Sequence, residues 1–392
     1  MVPETRIMRV MRIWRIPLVR RSRFVMAGAL VVAAPSARAQ PASVLARPEA
    51  VFPSDFTSVT AVRELRDGRV IVLDYGAGLV HLVDARLSSV SPIGRHGQGP
   101  GEYRSPTRLF ALRGDSTAVY DWGNTRLLVI RPDGSPGGIL DARGGRGCEP
   151  WVASRATPYR ATDAKGQYYT EAEPYRYPTD SARQKTDSAA IERWNTACRA
   201  DTLGFVPANH YRETRPEDVD PFPAPTQWAV APDGRVAFVR PDPYRVDIVH
   251  TTGRRQDGVA IAYDRVRVTE EVKQAWREEQ ERPQPALTIT RAGAVSTSMM
   301  RKGFTEPSRW PASLPPFSRD AVQFASDGRL WVRRAVGPDQ APLYDVIDGS
   351  GRLVERVRLS LGSRIVGFGN GTVHVIRRDR DDLEYLERHR LP

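Results

Sequence analysis

The chain has 392 residues, with 58 Lys+Arg against 46 Asp+Glu, a formal net charge of +12, 40% hydrophobic residues, 31 Gly and 32 Pro. These proportions exclude a collagen-like, a disulfide-dense or a fully disordered chain. No apolar run reaches the roughly 20 residues that span a bilayer, so no membrane span is expected.

Residues 1–39 read as a leader. Arg6, Arg9, Arg12, Arg15, Arg20, Arg21 and Arg23 precede an apolar run from Phe24 to Ala34, and Pro35-Ser36-Ala37-Arg38-Ala39 offers an A-x-A cleavage site before Gln40. That order is a secretory signal peptide, and its apolar run is too short to span. Arg20-Arg21-Ser22-Arg23-Phe24 leaves the twin-arginine route open beside the general one. The expectation is a signal peptide at 1–39, one domain at 40–392, and a periplasmic or extracellular location. The leader holds eight Arg and one Glu, so seven of the twelve net charges leave with it and five remain. The remaining Arg excess is spread along the chain. It lacks the basic stripe with interleaved aromatics of a nucleic-acid binder, and no nucleic-acid partner is expected.

The mature chain is punctuated by turns. Residues 67–74 (DGRVIVLD) and 114–121 (GDSTAVYD) are each a tight turn followed by a strand ending in Asp, at an offset of 47. The offset continues: Gly76 matches Gly123, and Val80–Val83 matches Leu127–Ile130. The same punctuation recurs at Lys165-Gly166, Asp233-Gly234, Asp327-Gly328 and Asn370-Gly371, each before an alternating strand. Such pairs suit hairpins because they tolerate positive φ. Second strands follow at Arg245–Val249, Leu343–Ile347 and Leu383–Leu386.

Between the first two units lies Gly94-Arg95-His96-Gly97-Gln98-Gly99-Pro100-Gly101-Glu102-Tyr103. Gly97, Gly99 and Gly101 would shape a backbone that side chains would obstruct. Arg95, His96, Gln98 and Glu102 bring polar groups to it. One reading is an anion or sugar site built from backbone N–H groups and Arg95; the other is a tightly packed connection between units. The spacing is not that of a nucleotide-binding loop, and Pro106 opposes a following helix.

Further along, Cys148 and Cys198 are the only cysteines. In an exported chain they read as one disulfide closing a loop of about 50 residues, stabilising by roughly 4 kcal/mol; two buried thiols are the alternative. In Thr186–Arg199, Ile191, Trp194 and Cys198 fall at i, i+3 and i+7, the spacing of a short helix. Glu217-Asp218-Val219-Asp220 is an acidic loop, read as a solvated turn or a cation site. Val268–Glu281 predicts a second helix, with Thr269 as N-cap, Glu270 and Glu271 at its positive end and Pro283 stopping it.

Six units and two helical insertions predict an all-β chain: a six-bladed β-propeller of four-stranded antiparallel blades, with short helical insertions in blades 3 and 4. An N-terminal strand within about residues 42–60 would close the ring on the last blade.

A resemblance supports that fold. Asp121, Asn124 and Arg126, followed by Leu127-Leu128-Val129-Ile130 and Pro132-Asp133-Gly134, resemble an NHL repeat, whose D-x-x-N-x-R core precedes an alternating strand. The first unit departs from it, with Ala77 and Leu79 where Asn124 and Arg126 stand. The glycine loop 94–103 is similar to one in bacterial exported six-bladed propellers of unknown function, as is Leu314-Pro315-Pro316-Phe317. The resemblance implies a fold and a compartment, and no established activity.

Chemistry is harder to place. The histidines at 81, 96, 210, 250, 374 and 389 are scattered, and no H-E-x-x-H, G-x-S-x-G or P-loop motif occurs. No metal ligands are assigned. Three function classes stay open. The first is an exported binding or scaffold propeller for a protein, peptide or glycan, without cofactor. The second is a cation-dependent, lactonase-like hydrolase or lyase with a divalent cation such as calcium in its central channel. The third is a structural partner in an envelope assembly.

Overall fold

The computed structural model describes residues 41–52, 56–84, 86, 88–141, 160–172, 188–195, 197, 199–207, 220–289, 295–301, 303–381 and 383–392. The leader, Cys148, Cys198, His210 and Glu217-Asp218-Val219 lie outside them.

The chain is a six-bladed β-propeller. Blade 1 is Val59–Glu64, Val70–Asp74, Leu79–Asp84 and Ser89–Pro92; blade 2 is Pro106–Ala111, Thr117–Asp121, Arg126–Ile130 and Pro136–Asp141. Blade 3 is Ala161–Thr162, Tyr168–Ala172, Ser188–Trp194 and Ala200–Pro207; blade 4 is Gln227–Val230, Val236–Pro241, Tyr244–Val249 and Arg255–Gln256. Blade 5 is Phe317–Phe324, Leu330–Arg334, Leu343–Ile347 and Leu353–Arg358. Blade 6 takes Ser363–Gly369, Thr372–Arg378 and Glu384–Arg390 from the end of the chain and Ala50–Val51 from its beginning. Within each blade the pairing is antiparallel, and the first strands neighbour one another around the axis.

The six turn signatures are the hairpins between first and second strands. Their glycines, Gly68, Gly114, Gly166, Gly234, Gly328 and Gly371, all have φ between 68° and 92°. A Cβ there would be strained, which is why the punctuation was visible in the sequence. Second strands are buried on both faces. In blade 1, Val70 and Val72 pack toward blade 6 while Ile71 and Leu73 pack toward blade 2. Six apolar clusters result, one at each junction between neighbouring blades. Each such fully buried side chain contributes about 1.5–3 kcal/mol.

The expected helix at Thr186–Arg199 is instead the third strand of blade 3, Ser188–Trp194, paired to Tyr168–Ala172 and Ala200–Pro207. Ala189 and Ile191 are buried on one face and Trp194 on the other, with the remaining residues half-buried, so no clean polar alternation marks the strand. Ile191 packs in the cluster shared with blade 4. Trp194 stacks on Tyr168 with ring centroids 6.2 Å apart and donates its indole N–H to Thr170 at 3.0 Å. The second expected helix forms as α1, Glu270–Glu281, with Thr269 at the N-cap position. It belongs to the connection from blade 4 to blade 5, together with a hairpin of Gln284–Ile289 and Val295–Met300. Trp276 anchors α1, donating to Pro221 O at 3.0 Å and meeting Phe304 and Trp310 edge-on.

Ala50–Val51 closes the ring by pairing antiparallel with Glu384–Arg390, Ala50 opposite Arg388. Just before it, Ser43–Val44 adds a parallel strand to the outside of blade 5. Residues 43–51 therefore strap two neighbouring blades together.

Candidate functional site at the channel mouth

Because every blade is an antiparallel meander, two sets of connections leave from one end of the ring: those from second to third strands and those between blades. Buried aspartates tie these sets together. Asp74 accepts backbone N–H bonds from Thr57 and Ser58, both at 2.9 Å, in the connection entering blade 1. Asp121 accepts from the amides of Arg104 and Ser105 at 3.0 and 2.9 Å, and from Asn124 Nδ2 at 2.6 Å. These repeat aspartates thus staple incoming backbone.

The glycine loop runs from blade 1 into blade 2 at this end. Arg95 is exposed, and its Nε donates to Glu102 Oε1 at 2.8 Å. The other Glu102 oxygen accepts from the Gly99 amide at 2.7 Å. That amide and then Arg95 hold the Glu102 carboxyl below its ordinary value. Glu102 thus sits where the sequence reading placed an external anion. A Cβ on Gly97 would come within 2.1 Å of Glu102 Oε2, and one on Gly99 within 3.0 Å. Gly101 has φ 74°. His96 is exposed and lies edge-on to buried Tyr103. Gln98 is exposed, and its carbonyl accepts from Arg126 at 2.9 Å. Asn124 and Arg126 also donate to the carbonyls of Gly97, Gly99 and Glu102 at 2.8–3.1 Å. The loop and the D-x-x-N-x-R residues are therefore one hydrogen-bonded unit. Trp122 stands exposed beside it.

The channel mouth collects residues the sequence reading did not single out. In blade 5, pairing with the second strand is broken between Phe317 and Val322, and Asp320 adopts φ 54°. Gln227 of blade 4 holds this bulge from both sides: Nε2 donates to Ser318 O at 2.6 Å and Oε1 accepts from Ala321 N at 2.8 Å. Arg319 and Asp320 are left exposed on an innermost strand. Arg108 on the first strand of blade 2 is pushed below its ordinary value by burial and then by the charge of Arg160, with Asp320 and Glu171 opposing. These four charges, drawn from blades 2, 3 and 5, therefore share one region. Glu171 accepts from the Trp228 indole N–H at 2.8 Å. Among the described residues, the Nε atoms of Arg104 and Arg160 are buried without a hydrogen-bond partner. The mouth is rich in guanidinium donors.

Described histidines have protein partners or apolar surroundings. His374 meets Glu64 at 2.8 Å, His389 meets Ala46 O at 2.7 Å, His250 meets Gln256 and Arg254, and His81 lies against Phe56. Among the described residues, no group of three or more His, Cys, Asp or Glu is placed to hold a metal ion, and no helix is long and apolar enough to cross a membrane.

No protein-family model and no curated protein matches the chain. Solved structures match at low identity. A Bacteroides fragilis protein is 11% identical, over 89% of this chain and 94% of its own, with TM-score 0.46. A member of the DUF4221 family from Bacteroides vulgatus is 9% identical over 88% and 94%, with TM-score 0.44. The calcium-binding protein regucalcin from Agrobacterium tumefaciens is 11% identical over 88% and 93%, with TM-score 0.41.

Proposed function

We propose that the protein is an exported binding propeller, which holds a protein, peptide or glycan on the end of the ring formed by the inter-blade connections and does not turn it over. The carrying observation is the clamped bulge of blade 5. It gives up ladder hydrogen bonds, holds Asp320 in a strained conformation and leaves Arg319 and Asp320 exposed, with Asp320 near enough to Arg108 to act on its charge. Bulges re-aim side chains, and backbone strain held by surrounding contacts concentrates at binding sites. The glycine loop belongs to the same rim and presents Arg95, with Trp122 next to it; Arg and Trp are the side chains that most often anchor interfaces. Export rests on the leader pattern of residues 1–39.

Arrays of glycans and peptides test this reading. Arg95→Ala and Arg319→Ala should weaken the captured signal with unchanged melting temperature. Arg66→Ala, in an exposed hairpin at the opposite end, should leave it intact. If Arg95→Ala only lowers the melting temperature, Arg95 is a structural residue. If calcium-loaded protein opens lactones or esters and a chelator abolishes that, the lactonase-like alternative replaces binding.

A further inference from the structure

Resting on the binding reading, we infer that the seam between blades 5 and 6 seats a small anion-bearing ligand, whose carboxylate or phosphate oxygen lies between the Trp331 indole N–H and the Arg333 guanidinium. A cavity of about 20 Å³ lies between blades 5 and 6, lined by Asp320, Gln323, Trp331, Arg333 and Tyr344 from the first three strands of blade 5 and by Phe368 from the first strand of blade 6. Trp331 is only 1% exposed, and among the described residues its indole nitrogen has no hydrogen-bond partner. Buried indole donors ordinarily find an acceptor. The cavity has room for one oxygen-sized group.

The surrounding chemistry selects the charge of that group. Arg333 donates from Nη2 to Ser318 Oγ at 3.0 Å, which fixes it to the bulge without neutralising it. The Tyr344 hydroxyl already accepts from the Ile365 amide at 3.2 Å. The mouth beyond holds Arg108 and Arg160, with Arg319 exposed on the bulge. The N–H donors that line the cavity, the Trp331 indole and the Arg333 guanidinium, match an oxyanion. Asp320 and the Gln323 side chain, beside the cavity, provide acceptors for hydroxyl groups on the same ligand. A sugar acid or a phosphorylated polyol therefore fits better than a neutral sugar or a cation.

Indole N–H spectra of ¹⁵N-labelled protein test the site. The chain has eight Trp, so the Trp331 signal is assigned by its loss in Trp331→Phe. Titration with glucuronate or inorganic phosphate should shift that signal saturably, and glucose should not. Arg333→Gln should raise the dissociation constant on the order of tenfold, as expected for one charge-assisted hydrogen bond. An equal shift with glucose overturns the anion inference and leaves the binding reading standing. An unmoved Trp331 signal with both anions means the cavity holds only structural water, and also overturns it. Glucuronolactone added to the same tube separates the two claims: its conversion by the protein defeats the binding reading while leaving the anion seat in place.

Discussion

Glu64 shows how much a single side chain can coordinate at the ring seam. It stands on the first strand of blade 1 and accepts from Thr372, His374 and Arg388 of blade 6 at 2.8–3.1 Å. Burial opposes its ionisation, but the bonds from His374, Arg388 and Thr372 outweigh it and hold the carboxyl at about 2, below its ordinary 4.5. Its folded value lies below its unfolded one, so its contribution to stability is complete above pH 4.5 and is lost as pH falls toward 2. Glu64→Gln should destabilise by about 1.5–3 kcal/mol at neutral pH, the range for hydrogen bonds to a charged group. It should also flatten the acid limb, which denaturant melts across pH would reveal. Gly97 offers a second test at this scale. Gly97→Ala drives a Cβ into Glu102 and should lower Tm by roughly 2–4 °C. Adding Glu102→Ala removes the obstruction, so the double variant should melt above the sum of the single losses.

Elements differ in how openly the sequence displays them. The six hairpins were legible because their chemistry is local: a glycine at positive φ marks the same turn in every blade. First strands were not legible, since they carry mixed residues facing both neighbours and the channel; Phe317–Phe324 includes Arg319, Asp320 and Gln323 among its apolar positions. The third strand of blade 3 was misread because Ile191 and Trp194, three residues apart, fit a helical face as well as two opposite faces of a strand. The glycine loop was visible, but the role of Glu102 as its internal anion depends on a fold within the loop. The last strand provides a test of closure. Removing residues 383–392 would expose the third strand's neighbours and leave Ala50–Val51 without a partner. Insoluble protein is expected, because open edges template association; a soluble truncation with one cooperative melt would point to an open array.

At the scale of the whole molecule, the channel mouth exists only because the ring closes. Arg108, Arg160, Glu171, Asp320 and Arg333 come from three blades, and no local pattern in the sequence links them. The strap of residues 43–51 that locks this ring also orders events in time. It is made early in synthesis, yet its partners come last: Ala46 and His389, joined at 2.7 Å, are 343 positions apart. Contacts of such separation carry the largest loop-closure entropy and slow folding most. Pairings that need both ends of the ring are therefore expected to form more slowly than the hairpins within each blade. Blades 5 and 6, which line the anion seat, are both held by this strap, so the seat depends on contacts that only the two ends together can make.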